Sequence, residues 1–187
     1  MLSKRLYDLI NSYEDFPIKG IVFRDLMPVF LEPKVYGELI ENMSSQKIFK
    51  DADAIISIES RGFLVGSGIA LATKKPMITA RKPQKLPGKL ISQSFSLEYG
   101  SNSLSIQESS LNQYESFAIV DDLLATGGTA EAVCKIIESL GKKVTGISVV
   151  IELNSLNGRA KLKAPVASII KYWNQTNKLC KEFVLWY

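Results

Sequence analysis

The sequence comprises 187 residues, of which 46% are hydrophobic and 22% are charged, so it can bury one core and is neither disordered nor fibrous. Its formal net charge is +4 and it contains no histidine, which favours an anionic ligand and excludes a serine–histidine–aspartate triad. No segment reaches the roughly 18 apolar residues of a membrane span. The segment 1–10 carries charged residues among its apolar ones and so does not resemble a signal peptide. We therefore expect a cytoplasmic protein.

Helices and strands are predicted to alternate along the first half of the chain. The spacing of apolar residues predicts an amphipathic helix over 2–13 and a second helix over 34–47. The nearly continuous apolar run 54–58 is typical of a strand buried on both faces. It is followed by a predicted helix over 62–73 and a predicted strand over 77–80.

Residues 90–107 differ from these runs because polar and apolar side chains alternate on both sides of a turn at 100–102. A period of two with a turn between predicts an antiparallel β-hairpin. We expect the hairpin and the basic segment before it to form a flap over about 81–107 that lies outside the core.

The second half continues the alternation. Apolar runs predict three further strands, over 117–120, 144–151 and 166–170. A helix is predicted over 130–140, with Gly141 as its stop. This order predicts an α/β fold with a mainly parallel twisted sheet flanked by helices. We expect a single domain over 1–187 with a C-terminal extension over about 172–187.

The segment Val120–Thr129 carries the clearest candidate site, since it runs from a strand end into a helix, where open α/β sheets bind ligands. Gly127 and Gly128 let the backbone curl around an anion, and the helix N-terminus offers free N–H groups. Thr126 and the last residue of the segment can add hydroxyl donors. The pattern predicts a phosphate-binding loop, although it is neither the dinucleotide nor the P-loop motif.

Two adjacent carboxylates, Asp121 and Asp122, precede the glycines. They would repel a phosphate unless they face another group, and vicinal ribose hydroxyls are suitable because a carboxylate accepts both of their protons. A helix-capping aspartate in a loop is the alternative, and it explains only one of the two. The pair therefore indicates a phosphorylated ribose as ligand.

The segment Asp121–Thr129 resembles the phosphoribosyl-diphosphate motif of the type I phosphoribosyltransferases. Four other segments, in matching order and spacing, narrow the resemblance to the adenine phosphoribosyltransferases: Phe16–Asp25, Glu59–Phe63, Arg81–Pro87 and Ser96–Gly100. The resemblance implies the type I fold with a small N-terminal hood. It also implies the reaction, in which adenine and 5-phosphoribosyl-1-diphosphate give AMP and diphosphate with Mg²⁺.

The same resemblance implies roles for individual residues. Adenine would be bound by Val22, Phe23 and Arg24. The diphosphate would be met by Arg61, with charge added across a homodimer interface by Arg81, Lys82 and Lys85. The ribose would be held by Asp121 and Asp122, and the 5′-phosphate by Ala125, Thr126, Gly127, Gly128 and Thr129. Taken alone, the basic residues fit a solvated loop and the apolar residues before Arg24 fit ordinary core.

The resemblance also implies catalytic roles for Glu98 and Tyr99 at the hairpin turn, whereas Glu98 taken alone fits a charged hairpin residue that faces solvent. In a chain without histidine, Glu98 is the candidate that handles the purine proton or steadies positive charge, and Tyr99 is the candidate that covers the ribose. We expect substrate oxygens and water to hold Mg²⁺, because the sequence offers no cage of protein oxygen ligands. In the family the Glu59–Ser60 peptide is commonly strained or cis. The chain departs from the family's usual sequence at two positions: Gln84 stands where glycine is usual, and Lys19 stands where proline is frequent.

Two other functions stay open. One is a phosphoribosyltransferase for hypoxanthine, guanine or orotate, against which the segment Val22–Arg24 argues. The other is a non-catalytic sensor of phosphoribosyl diphosphate that binds nucleic acid. Because the chain has the hairpin and no recognisable nucleic-acid-binding signature, we expect small-molecule substrates and neither a nucleic-acid nor a membrane partner.

Overall fold

The computed structural model describes residues 1–96 and 101–173. Its helices are α1 (Leu2–Leu9), α2 (Met27–Phe30), α3 (Pro33–Ser44), α4 (Lys47–Lys50), α5 (Gly62–Thr73), α6 (Glu108–Leu111) and α7 (Gly128–Ser139). Its strands are β1 (Asn11–Glu14), β2 (Val22–Asp25), β3 (Ala54–Ile58), β4 (Met77–Ala80), β5 (Leu90–Ser96), β6 (Ser101–Gln107), β7 (Ser116–Leu124), β8 (Lys143–Leu153) and β9 (Val166–Tyr172). None of the described helices is long and apolar enough to cross a membrane.

A five-stranded sheet in the order β4-β3-β7-β8-β9 forms the centre of the fold, and every neighbouring pair in it is parallel. The carboxyl ends of all these strands therefore meet at one edge, where such sheets bind ligands. Strands β1 and β2 form a small antiparallel sheet near the N-terminus, and β5 and β6 form an antiparallel hairpin. The predicted fold class is confirmed.

The central strands are buried because both faces of the sheet are covered. Ile55 of β3 packs into a core with residues of α1, α3 and α5. Ile56 and Ile58 enter a second core with α7 and the hairpin. This alternation follows from the period of two along a strand, and it explains why the run 54–58 is apolar at almost every position.

The predicted helix over 62–73 and the strands over 54–58 and 77–80 are confirmed at their stated bounds. Two earlier helices are shorter than predicted. The helix predicted over 2–13 ends at Leu9, and the chain then forms β1, whose exposed residues pair with β2. The helix predicted over 34–47 ends at Ser44. In the first case a tertiary strand pairing overrides the local spacing of apolar residues.

The hairpin is not wholly outside the core, so that expectation is wrong for its base. Leu104 and Ile106 of β6 are buried in the second core. The backbone of Ser105 exchanges hydrogen bonds of 3.0 and 2.7 Å with the backbone of Arg81. The base of the hairpin is therefore fixed to the chain that follows β4.

Strand β7 is longer than predicted. It runs to Leu124 and pairs with β8 along that length, beyond the predicted 117–120. The acidic pair Asp121–Asp122 consequently lies in the strand and not in a loop. This placement ties both carboxylates to the rigid sheet.

Candidate active site

A cavity of about 350 Å³ opens at the carboxyl ends of β3 and β7. The candidate residues that line it are Arg61, Lys82, Lys85, Asp121, Asp122, Ala125, Gly127 and Thr129. The candidates that do not line it are Val22, Phe23, Arg24, Arg81, Thr126 and Gly128. Glu98 and Tyr99 lie outside the described residues.

Residues 125–129 carry the chain from β7 into α7. Gly127 precedes the first helical residue with a φ of 81°, a conformation that glycine adopts without strain. The space also requires glycine, because a Cβ on Gly127 would lie 2.4 Å from the carbonyl oxygen of Gly158. The tight turn brings the N-terminus of α7 to the cavity, where its free N–H groups and positive dipole end suit an anion.

Asp122 and Arg61 form a largely buried ion pair in the cavity wall. The Nε of Arg61 donates to Oδ2 of Asp122 at 2.6 Å, and the exposed fractions of the two side chains are 19% and 9%. Burial lowers the pKa of Arg61, but the charge of Asp122 and the hydrogen bond to it raise that pKa overall. Arg61 is therefore a charged group of fixed orientation.

Asp121 has a different environment. Its Oδ1 accepts a hydrogen bond of 2.8 Å from the backbone N–H of Asp122. Gly62 permits this arrangement, because a Cβ there would lie 2.8 Å from the same oxygen. Burial, and next the charge of Asp122, raise the pKa of Asp121 well above its ordinary value. The ionised form of Asp121 is thus disfavoured unless a ligand stabilises it.

Glu59 organises the basic loop, a role that the sequence did not reveal. The peptide between Glu59 and Ser60 is cis. The Glu59 carboxylate accepts hydrogen bonds from Nε of Arg81 and the backbone N–H of Lys82, both at 3.3 Å, and from Nζ of Lys85. Burial raises the pKa of Glu59, but the hydrogen bonds from Lys85 and Arg81 lower it overall. In the sequence, Glu59 stands out only because it begins the segment Glu59–Phe63, which resembles the family.

The strand β2, with Val22, Phe23 and Arg24, is linked to the cavity through Arg61. The Arg61 guanidinium carbon lies 5.4 Å from the centroid of the Phe23 ring. The guanidinium carbon of Arg24 lies 4.0 Å from the centroid of the Tyr172 ring. The side chain of Arg24 therefore anchors β2 to β9.

The hairpin supplies cavity residues to which sequence reasoning gave no role. Phe95 of β5 and residues 102–104 of β6 line the cavity. Phe95 lies beside the start of α7, since a Cβ on Gly128 would be 3.5 Å from its Cδ2. The alternation along 90–107 indicated that the hairpin has two faces, but not which element each face contacts.

Residues 33–182 match the model of the phosphoribosyl transferase domain, and the chain belongs to the phosphoribosyltransferase family. Two similar proteins lie in one branch of that family. The adenine phosphoribosyltransferase of Prochlorococcus marinus (strain MIT 9515) is 56% identical over 171 residues, which cover 91% of this chain and 100% of that protein. The adenine phosphoribosyltransferase of Mycoplasmopsis synoviae (strain 53) is 41% identical over 170 residues, covering 90% and 99%.

Solved structures of the same branch share the fold. The adenine phosphoribosyltransferase of Thermoanaerobacter pseudethanolicus has a TM-score of 0.84 and 39% identity, covering 92% of this chain and 100% of that chain. The enzyme of Saccharomyces cerevisiae, crystallised with an imino-altritol bisphosphate and adenine, has a TM-score of 0.83 and 35% identity, covering 90% and 98%. Within its family the chain is a member of the adenine phosphoribosyltransferases.

Proposed function

We propose that this protein transfers the phosphoribosyl group of 5-phosphoribosyl-1-diphosphate to adenine and releases AMP and diphosphate. The observation that carries the proposal is a single cavity that combines the acidic pair Asp121–Asp122 with the anion-binding start of α7 at Gly127. A phosphorylated ribose requires acceptors for its hydroxyls and donors for its phosphate within one site. The relatives named adenine phosphoribosyltransferase supply the identity of the base.

The 5′-phosphate binds the loop 125–129. Its oxygens accept hydrogen bonds from the N–H groups at the start of α7 and from the hydroxyls of Thr126 and Thr129. The ribose hydroxyls donate to Asp121 and Asp122. The presence of Gly127 and Thr129 in the cavity lining supports this orientation.

The diphosphate binds at the basic side of the cavity. Arg61 reaches it from the end of β3, and Lys82 and Lys85 line the same cavity. Arg81 contributes indirectly, because it pairs with Glu59 at 3.3 Å. These contacts lie within one chain, so action across a homodimer interface stays a prediction, as does the cytoplasmic location.

The base binds beside β2. Phe23 stacks on adenine, and the backbone groups of Val22 and Arg24 read its edge. The contact of Arg61 with Phe23 supports a base site adjacent to the diphosphate site.

In the reaction a ring nitrogen of adenine forms a bond to the anomeric carbon, the bond from that carbon to the diphosphate oxygen breaks, and the nitrogen loses its proton. Glu98 handles this proton, and Tyr99 covers the ribose.

The residues present fit a magnesium ion that is held mainly by substrate. Mg²⁺ prefers oxygen ligands and keeps several waters. Within residues 1–96 and 101–173 no cluster of three or more acidic or cysteine side chains could hold a metal. Asp121 and Asp122 line the same cavity, where they would accept hydrogen bonds from the ribose hydroxyls, and the ion would be held beside them by ribose and diphosphate oxygens. Bound there, the ion would neutralise charge on the diphosphate leaving group.

Magnesium is expected to bind the free protein weakly and the substrate complex strongly. Calorimetric titration of MgCl₂ into the free protein should give no saturable heat in the micromolar range, because the described part of the chain contains no cluster of metal ligands. The same titration in the presence of 5-phosphoribosyl-1-diphosphate should saturate. Tight binding to the free protein would contradict this prediction.

The function itself is tested by turnover with labelled adenine and 5-phosphoribosyl-1-diphosphate. We expect labelled AMP to form, and unlabelled adenine to compete far better than hypoxanthine, guanine or orotate. Preferential use of one of those bases would replace adenine as the substrate. Binding of the diphosphate substrate without turnover of any base would instead support the sensor function.

A further inference from the structure

The phosphate-binding loop rests directly on the turn at Gly158. A Cβ on Gly158 would lie 2.1 Å from the carbonyl oxygen of Ala125 and 2.8 Å from the backbone nitrogen of Gly127. The two backbones are therefore in contact with no side chain between them. Because the two backbone segments are closely packed, a displacement of the Gly158 turn also displaces the N–H groups of the loop.

An ion pair with one buried partner links the two ends of the segment that contains this turn. Glu152 lies near the end of β8 with 3% exposure, and Arg159 directly follows Gly158. Nε of Arg159 donates to Oε1 of Glu152 at 2.9 Å, and Nη2 donates to Oε2 at 2.7 Å. This is the two-pronged geometry in which arginine binds a carboxylate most rigidly.

Further contacts fix both partners of the pair. The hydroxyl of Ser168 donates to Oε2 of Glu152 at 2.6 Å, and Nζ of Lys171 lies 3.6 Å from the same oxygen. The Nη1 of Arg159 donates to the carbonyl oxygen of Val166. These contacts connect the segment 152–159 to β9, and they neutralise the charge of Glu152.

We propose that Glu152 and Arg159 are positioning residues for the reaction: their two-pronged ion pair holds the Gly158 turn against residues 125–127 and thereby fixes the loop that receives the 5′-phosphate. The inference rests on the proposed function only for the identity of the ligand. Neither side chain lines the cavity, so the effect reaches the substrate through the Gly158 backbone.

The test compares substitutions in the pair with a matched control. Glu152→Gln keeps the volume and removes the charge, and Arg159→Lys keeps the charge and removes the two-pronged geometry. We expect Glu152→Gln to raise the KM for 5-phosphoribosyl-1-diphosphate about tenfold, since small displacements of a positioning group have effects of this order. The KM for adenine should change less than about twofold. For Arg159→Lys, the KM for 5-phosphoribosyl-1-diphosphate should lie between the values of Glu152→Gln and the parent.

Lys142→Met is the control. Lys142 also holds its chain segment through buried contacts, to the carbonyl oxygens of Leu111 and Tyr114, but it precedes β8 at the opposite edge of the sheet. It should lower the melting temperature and leave both KM values unchanged. If the pair variants also keep the parental KM values, the pair is only structural and the proposal is overturned.

Two further measurements keep the outcome decisive. If Glu152→Gln does not fold, two milder variants replace it. Ser168→Ala removes one donor to the Glu152 carboxylate, and Arg159→Lys weakens the pair. Each should show a smaller rise in the KM for 5-phosphoribosyl-1-diphosphate. If the parent protein does not convert adenine, the proposed function fails by itself. The positioning role is then tested by calorimetry with ribose 5-phosphate, for which the variants must bind more weakly than the parent; equal affinity would overturn it.

Discussion

Asp122→Asn is expected to lower kcat/KM for 5-phosphoribosyl-1-diphosphate about 100-fold, because removing one partner of a buried charge pair costs a few kcal/mol. The substitution keeps the side-chain volume but takes away the anion that Arg61 faces at 2.6 Å. Arg61 then remains largely buried without its principal counter-charge. The free energy of unfolding should fall by about 3 kcal/mol for the same reason.

Asp121→Asn should have a similar kinetic effect and the opposite effect on stability. Because the pKa of folded Asp121 lies above its ordinary value of 3.8, stability is lost as pH rises from 3.8 through the folded-state pKa. Asparagine removes this loss, so the variant should be more stable than the parent at neutral pH. Its kcat/KM should still fall, since an amide accepts the ribose hydroxyl protons less strongly than a carboxylate.

Steady-state kinetics and thermal unfolding of both variants check these expectations. Asp53→Asn is the matched control, because Asp53 accepts hydrogen bonds from the backbone of Glu115 and Ser116 beside the start of β7, away from the cavity. It should leave kcat/KM at the parental value. Parental kinetics in the double variant of Asp121 and Asp122 would remove both residues from the site.

The central sheet could be predicted because burial on both faces leaves a local signature. The run 54–58 is continuous in its apolar character, and helix 62–73 follows from spacing within one segment. The spacing of residues along α5 does not predict which neighbouring elements its glycines contact. A Cβ on Gly66 would meet Ser57 of β3 at 2.3 Å, whereas one on Gly68 would meet Ile40 of α3 at 2.7 Å.

The features that were missed depend on contacts between distant segments. The chain at 11–14 pairs with β2 although its own spacing is helical. Glu59 acquires its role from cations that lie more than twenty residues further along the chain. Gly158 meets the phosphate-binding loop across more than thirty residues. Local periodicity reports which residues are buried, but not which partners bury them.

Glu98→Gln is expected to lower kcat about 100-fold, which is the lower end of the effect of a positioned acid or base. Glu98 itself lies outside the described residues, but the hairpin that carries it is anchored at the site. Phe95 precedes it and Asn102 follows it along the chain, and both line the cavity. A chain without histidine must use another group for the purine proton.

The expected signature of Glu98→Gln is a loss of kcat with little change in either KM, because its contact forms mainly in the reacting complex. Circular dichroism should show the parental fold. Glu108→Gln is the matched control: Glu108 follows β6 at the base of the same hairpin, where it pairs with Lys89 at 2.9 Å, and its loss should leave kcat unchanged. Turnover of adenine by Glu98→Gln at the parental rate would remove Glu98 from the mechanism. The site must exclude water while the anomeric carbon is positively charged, so we expect the hairpin to act as a lid. Deletion of residues 97–100 with no loss of rate would show that the reaction does not need this lid.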